Sequence, residues 1–228
     1  MHAEVKPAPI ASPRHTLIVL AIIAAIALIG YRQMHAPPGA AAPAKSPSRL
    51  PTYLAVIALQ YGWVQLVRGG MRARGRSLGE LTGGMPRTAR AAAVDLLLAA
   101  ALYAAANGAI YAVRWLLHPP DANTSFLLPH TIPEKALWLL VSMAAGIGEE
   151  IVFRGYLQRQ MHALTGSAAA AIILQAVLFG AAHAYQGLAA IALTGAYGLV
   201  LGIGARWRGN VLAAAVAHAA TDIVGGLR

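Results

Sequence analysis

Two adjacent carboxylates and a guanidinium interrupt an apolar stretch of the sequence, "AAGIGEEIVFRGYL", residues 144–157. In an α-helix, Glu150 and Arg154 lie on one face, four residues apart, with the acid before the base, which is the order that favours an ion pair. Glu149 is rotated by about 100° from Glu150, so the two carboxylates cannot face the same way. We therefore expect Glu150 and Arg154 to form a structural pair. Glu149 is then the carboxylate that is free to act as a general base.

Two later apolar stretches also carry polar side chains at helical spacing. "LFGAAH" places Phe179 and His183 on one helical face, and "HAATD" does the same for His218 and Asp222. Ionisable groups inside a bilayer are costly and mark function by default. We expect the two histidines and Asp222 to share one cavity with Glu149, with Phe179 as part of its wall.

Two imidazoles and a carboxylate suit either of two mechanisms. His183 and His218, with Glu149 or Asp222, are donors that zinc accepts, and a bound zinc ion lowers the pKa of its water to about 7. Without a metal, Glu149 would deprotonate the water and the other groups would stabilise an oxyanion. The residues themselves leave both mechanisms open.

Three motifs in this order resemble those of the CPBP (Abi) family, which includes the type II CAAX prenyl endopeptidases and bacteriocin-processing proteins. "EEIVFRG" fits E-E-x-x-x-R, "FGAAH" fits F-x-x-x-H, and "HAATD" fits H-x-x-x-N/D. The resemblance covers about 135–225, and residues 1–130 add nothing specific to it. It implies an intramembrane endopeptidase.

The resemblance also implies roles for individual side chains. Glu149 would activate the water, His183 would hold that water or a metal, and His218 with Asp222 would stabilise the oxyanion or complete the metal site. Asn often fills the place of Asp222 in this family. Because an ionised Asp cannot donate a hydrogen bond to an oxyanion, Asp222 slightly favours the metal.

The composition predicts an integral membrane protein. The 228 residues are 58% hydrophobic and 11% charged, whereas soluble domains carry about 25% charged residues. Most of the net charge of +10 lies in short segments between apolar runs, which indicates orientation in a membrane rather than nucleic-acid binding. The absence of Cys excludes disulfides and thiolate metal sites.

Apolar runs of about 20 residues, the length that spans a bilayer, predict an all-α membrane protein of about seven transmembrane helices with the catalytic core in the last four. The predicted spans are 15–34, 50–68, 91–117, 136–158, 168–187, 188–205 and 210–227. On these boundaries, Glu149 lies near the middle of its span and His183 lies beyond the middle of the next. The predicted offset between them is roughly 7 Å along the membrane normal.

Charge and composition divide the chain into three parts. Residues 1–14 are predicted to be a flexible cytoplasmic amino terminus, 15–130 to hold transmembrane helices and a basic loop, and 131–228 to be the CPBP-like catalytic core. The loop 68–90 is rich in Arg and should be cytoplasmic, which fits a bacterial inner membrane protein with its amino terminus inside. The first apolar segment could be a signal peptide, but its long leader and its length favour an uncleaved anchor.

The predicted function is hydrolysis of peptide bonds in membrane-associated or lipidated (CAAX-like) proteins. The expected partners are the lipid bilayer and a protein or peptide substrate, and no nucleic acid. Two other classes fit part of the pattern: a non-enzymatic immunity or scaffold protein, and a proton-coupled transporter. A transporter often has interrupted helices in two related halves, and no internal repeat is visible.

Overall fold

The computed structural model of the chain describes residues 7–35, 48–83, 88–120 and 124–228, and all regular structure within them is helical. Residues 1–6 of the predicted flexible terminus, residues 36–47, residues 84–87 of the basic loop and residues 121–123 lie outside the described residues. The helices are α1 (Pro13–Met34), α2 (Leu50–Arg72), α3 (Gly79–Thr82), α4 (Ala89–Leu117), α5 (Ile132–Glu150), a π-helix (Ile151–Leu157), α6 (Gln158–Thr165), α7 (Ala168–Ala182), a 3-10 turn (Ala184–Gln186), α8 (Leu188–Arg208) and α9 (Leu212–Leu227).

Five of these helical stretches are long and apolar enough to cross a membrane: α1, α2, α4, the continuous stretch from α5 to α6, and α8. The helices α7 and α9 are also apolar but have only 15 and 16 residues. Seven apolar stretches therefore correspond to the seven predicted spans. The prediction of an all-α membrane protein is confirmed.

The stretch that carries the two adjacent glutamates is longer than the predicted span 136–158. It runs over 34 residues from Ile132 to Thr165. A capping box between Thr131 and Glu134 fixes its start. Directly after Glu150 the backbone widens into the π-helix, at whose end the N–H of Gln158 reaches the carbonyl of Phe153. Such π-turns inside α-helices frequently occur at functional sites.

The predicted span 168–187 is wrong at its carboxyl end, because α7 stops at Ala182. His183 Nδ1 donates to the carbonyl oxygen of Phe179 at 2.8 Å, which satisfies one of the carbonyls left open in the last turn. The chain then turns into α8 at Gly187, whose φ of 111° is accessible to glycine. His183 therefore stands at the end of a short helix. The offset of about 7 Å assumed a full-length span and does not describe the structure.

The first helix packs into the core through a buried polar network. His15 accepts from the hydroxyl of Tyr156 through Nδ1 at 2.8 Å and donates through Nε2 to the carbonyl of Leu66 at 2.9 Å. Gln160 accepts from the backbone N–H of Ile10 at 2.9 Å and donates to Thr16 Oγ1 at 3.0 Å. These bonds join α1 to α2, to the π-helix and to α6.

The long helix α4 is joined to the last two helices, α8 and α9, by polar side chains. Arg208 Nε donates to Asp95 Oδ1 at 2.5 Å, which connects α8 with α4. Asn107 Nδ2 donates to Thr221 Oγ1 at 3.1 Å, which connects α4 with α9. The amino-terminal helices thus pack against the carboxyl-terminal helices and bond to them through specific side chains.

Candidate active site

The predicted pair of Glu150 and Arg154 lies at the centre of the helix bundle. Arg154 Nη1 donates to Glu150 Oε1 at 2.7 Å, and both side chains are 0% exposed. The same oxygen of Glu150 also accepts from His218 Nδ1 at 2.9 Å. The pair therefore does more than neutralise two charges, because it also orients the imidazole of His218. The four-residue spacing predicted the pair, but nothing in the sequence predicted this third partner.

Glu149 faces the two histidines, as its rotation from Glu150 predicts. Glu149 Oε2 lies 3.9 Å from His183 Nε2 and 3.9 Å from His218 Nε2. These distances are too long for direct hydrogen bonds, and polar groups separated by more than about 3.5 Å can interact through a shared water. Oε2 is buried and has no hydrogen-bond partner among the described residues. The structure thus brings Glu149, His183 and His218 around one small site.

The hydrogen bonds at Nδ1 determine whether the Nε2 atom of each imidazole, which faces Glu149, carries a proton. His183 Nδ1 faces a backbone carbonyl, and His218 Nδ1 faces the carboxylate of Glu150. Both of these oxygens only accept, so both Nδ1 atoms carry the proton. Each Nε2 atom therefore accepts a hydrogen bond when its ring is neutral and donates one only when its ring is an imidazolium.

Phe179, predicted to be a wall of the cavity, touches most of the polar groups. Its ring packs at 4.6 Å from the ring of His183 and edge-on at 5.9 Å from the ring of His218. The guanidinium carbon of Arg154 lies over the same ring at 4.2 Å, a cation–π contact. A second aromatic ring, that of Phe153, packs edge-on at 5.0 Å. Phe179 therefore fixes the relative positions of both imidazoles and Arg154.

Asp222 lies at the edge of this group. Its Oδ2 is 3.8 Å from His218 Nε2, and its side chain is 34% exposed, more than that of Glu149 at 17%. Its backbone carbonyl accepts from Trp138 Nε1 at 2.9 Å, which fixes this turn of α9 against α5. The carboxylate of Asp222 is thus near the candidate catalytic group but closer to its opening.

The side chains of the site are of the types that bind zinc, but they are not close enough together to hold the ion. The two Nε2 atoms and one carboxylate oxygen are ligand types that zinc accepts, and both histidines are held at Nδ1 as metal-binding histidines usually are. Within the residues that the structure describes, however, no three His, Asp or Glu side chains come close enough together to hold a metal ion. Zinc binding therefore stays a prediction, and the mechanism below uses only the side chains.

One polar partner of Glu149 was missed in the sequence. Gln60, on α2, donates through Nε2 to Glu149 Oε1 at 2.8 Å. The only signal in the sequence is a single amide within the apolar run "AVIALQYGW". A lone amide in a membrane helix predicts an interhelical hydrogen bond. It does not tell which helix, or which residue, will accept that bond.

Comparison with known proteins agrees with the motifs. Residues 132–224 match the family model described as "Type II CAAX prenyl endopeptidase Rce1-like", which is less than half of the chain. Searches of curated proteins and of solved structures gave no match. The matched segment begins with the first residue of α5 and includes all three motifs, so the predicted resemblance is confirmed. The carboxyl-terminal helices of this chain, residues 132–224, are therefore similar to the Rce1-like type II CAAX prenyl endopeptidases.

Proposed function

We propose that the protein is an intramembrane endopeptidase that hydrolyses peptide bonds of membrane-associated or lipidated proteins. The observation that carries this proposal is the approach of Glu149 Oε2 to within 3.9 Å of two imidazole Nε2 atoms in a largely buried site. A carboxylate beside two imidazoles can hold a water, take its proton and return that proton to a leaving group. The similarity of the carboxyl-terminal helices to this family supports the same activity.

In the proposed mechanism, Glu149 and His183 hold the attacking water. His183 keeps its proton on Nδ1, bonded to the carbonyl of Phe179, so its Nε2 accepts one hydrogen of the water. Glu149 Oε2 accepts the other hydrogen and removes it as the water oxygen attacks the carbonyl carbon of the peptide. The proton then passes from Glu149 to the peptide nitrogen, and the carbon–nitrogen bond breaks.

His218 stabilises the oxyanion that forms during this attack. Its Nδ1–H is held by Glu150, and its Nε2 lies near Glu149 and Asp222. These three carboxylates compensate the positive charge of an imidazolium, whose Nε2–H donates to the oxyanion. In this arrangement Asp222 acts on His218 and does not itself donate to the oxyanion.

The position of the site limits the substrates that can reach it. The catalytic group lies among apolar helices, so a substrate is expected to approach from the bilayer as a transmembrane or lipid-anchored segment. We further propose that the protein lies in a bacterial inner membrane with the basic loop 68–90 on the cytoplasmic side. The substrates are peptides and proteins, not nucleic acids.

The proposal is tested with purified protein in lipid vesicles that contain transmembrane and prenylated peptides. Hydrolysis predicts shortened peptides by mass spectrometry. Water enriched in heavy oxygen should label the new carboxyl group, because the attacking oxygen comes from water. Vesicles that move protons or solute without cutting any peptide would contradict the proposal and favour a carrier. Peptide binding without cleavage would contradict it and favour a scaffold.

Zinc requires a separate measurement. The two histidines with Glu149 or Asp222 are the side chains that would hold the ion, which would supply a Lewis acid next to the water. If the protein uses zinc, a chelator should abolish cleavage, added zinc should restore it, and metal analysis should find about one ion per active chain. Full activity in a chelator, with metal-free protein, would assign the water to Glu149 and His183 alone.

A further inference from the structure

We infer that Gln60 is a positioning residue that fixes the carboxylate of Glu149 with one oxygen toward the two imidazoles. The inference rests on the proposed endopeptidase function and adds a residue from outside the matched segment 132–224. Gln60 Nε2 donates to Glu149 Oε1 at 2.8 Å, while Glu149 Oε2 faces both Nε2 atoms. One oxygen is thereby held by α2, and the other is left for the chemistry.

The environment of Gln60 is unfavourable for a residue that only packs. The side chain is 6% exposed, and its carbonyl oxygen Oε1 is buried without a hydrogen-bond partner among the described residues. A buried polar atom without a partner lowers stability. An apolar residue of similar size would avoid that penalty. The bond to Glu149 is what the amide provides and an apolar side chain would not.

The orientation of the amide follows from its neighbour. If the amide were turned over, its carbonyl oxygen would face the carboxylate of Glu149, and two acceptors would repel each other. Nε2 must therefore point to Glu149, and the carbonyl oxygen must point away from it. The amide group of Gln60 therefore has one favourable orientation, in which Nε2 donates to Glu149.

Gly148 makes this contact possible. A Cβ atom at Gly148 would lie 2.6 Å from Gln60 Oε1 and 3.1 Å from its Cβ. The amide can therefore lie against α5 only because the residue before Glu149 has no side chain. On α2 itself, a Cβ atom at Gly62 would have nothing within 4 Å. The two glycines thus differ in whether an added methyl group reaches the site.

Loss of this hydrogen bond should affect the chemical step more than substrate binding. A carboxylate held through one oxygen has one orientation, whereas a carboxylate without that bond can rotate and present either oxygen or neither. A displacement of a catalytic group by about 1 Å can lower the reaction rate on the order of a hundredfold. Because Gln60 bonds the oxygen of Glu149 that does not face the two imidazoles, substrate affinity should change little.

Four variants test the inference in the full-length protein in lipid vesicles. Gln60→Met keeps the length of the side chain but cannot donate, and Gly148→Ala pushes the amide away from Glu149. Gln65→Met and Gly62→Ala on the same helix are the matched controls. The first two should lower kcat by about ten- to a hundredfold at constant KM, and the controls should match the wild type. A wild-type kcat in folded Gln60→Met, or a change in KM alone, would overturn the inference.

An infrared measurement tests the contact without any substrate. The carboxylate band of Glu149 is isolated as the difference between the wild type and Glu149→Gln. The same difference taken in the Gln60→Met background should show that band shifted, because a carboxylate changes its stretching frequency when it loses a donor. An unshifted band would overturn the inference even if the protein cleaves peptides. A shifted band without any cleavage would support the contact and count against the proposed function.

Folding is measured for every variant. If Gln60→Met unfolds, the infrared and kinetic comparison is made with Gly148→Ala, which keeps the amide. If both unfold while both controls fold, Gln60 and Gly148 serve helix packing, and the positioning role is wrong.

Discussion

The carboxyl-terminal helices α5 to α9 and the amino-terminal helices α1 to α4 use buried polar groups in different ways. In the carboxyl-terminal helices the ionisable side chains face one another, as the shared oxygen of Glu150 between Arg154 and His218 shows. In the amino-terminal helices several polar side chains bond to residues of the other half. The side chains of α5 to α9 form the candidate catalytic group, and those of α1 to α4 fix the position of that group.

Each of three amino-terminal helices contributes at least one such contact. His15 on α1 bonds Tyr156, Gln60 on α2 bonds Glu149, and Asp95 and Asn107 on α4 bond residues of α8 and α9. The family match begins at residue 132, but Gln60, which bonds the candidate general base, lies outside the matched segment. Breaking contacts in each half should therefore give different results.

The largest effect is expected from breaking the central ion pair in the carboxyl-terminal half. Arg154→Leu leaves the carboxylate of Glu150 buried without its guanidinium, which should cost about 3–5 kcal/mol. Domain stabilities are only about 5–15 kcal/mol, so this variant should lose a large part of its stability and unfold at a clearly lower temperature. Thermal unfolding in detergent measures the loss.

The double variant Glu150→Met with Arg154→Leu is the control for this prediction. Replacing both charges removes the uncompensated carboxylate, so most of the stability should return. Cleavage should stay absent, because His218 Nδ1 has lost its acceptor. Wild-type stability of Arg154→Leu alone, or full activity of the double variant, would show that the pair does not hold the site.

His183→Ala should remove activity without removing the fold. The side chain lies at the end of α7, and its loss deprives the water of one acceptor. We expect kcat to fall by about 10²- to 10⁴-fold, whereas the lost hydrogen bond to the carbonyl of Phe179 should lower stability by only about 0.5–1.5 kcal/mol. The exposed His35→Ala is the matched control. Equal rates in the two variants would exclude His183 from the mechanism.

His15→Phe tests the amino-terminal half and should give the opposite pattern. The substitution removes the hydrogen bonds of His15 with the carbonyl of Leu66 and the hydroxyl of Tyr156, so stability should fall by about 1–3 kcal/mol. The kcat per folded molecule should stay at the wild-type value. Unfolding and kinetics are measured on the same preparation. A lower kcat at unchanged stability would place α1 in the chemistry and break the distinction between the two halves.

The smallest effect is expected at the exposed pair of Arg76 and Glu80, outside the membrane helices. The backbone N–H of Ser77 and the guanidinium of Arg76 hold the pKa of Glu80 below its usual range. Its contribution to stability is therefore present above the usual pKa of a carboxyl group and is lost as pH falls through the lowered value. Glu80→Gln should differ slightly from the wild type in unfolding at neutral pH and not at strongly acidic pH. Cleavage should not change, and a reduced rate would contradict this.

Much of the fold can be predicted from the sequence, because a helix that spans a bilayer must be apolar over about 20 residues. Apolar length alone predicts a membrane helix, and five of the seven predicted spans correspond to helices with similar ends. The end of α7 was missed because "FGAAHAYQGL" is apolar enough to continue a span. The stop depends on His183 bonding the carbonyl of Phe179 and on the positive φ of Gly187. Both are local three-dimensional features that hydropathy does not contain.

The candidate site could be predicted only where its partners lie on one helix. Four-residue spacing predicts the pair of Glu150 and Arg154, because both ends of the contact are in the pattern. Contacts between helices, such as those of Gln60 with Glu149 and of His218 with Glu150, depend on how the helices are rotated against one another. A single sequence does not contain that rotation.

The most direct test of the central claim is the rate of peptide cleavage by Glu149→Gln in the same vesicles as the wild type. The amide keeps the length of the side chain but cannot take a proton from water, so folded protein should cleave at least about a hundredfold more slowly. Cleavage by folded Glu149→Gln at the wild-type rate would show that Glu149 is not the general base.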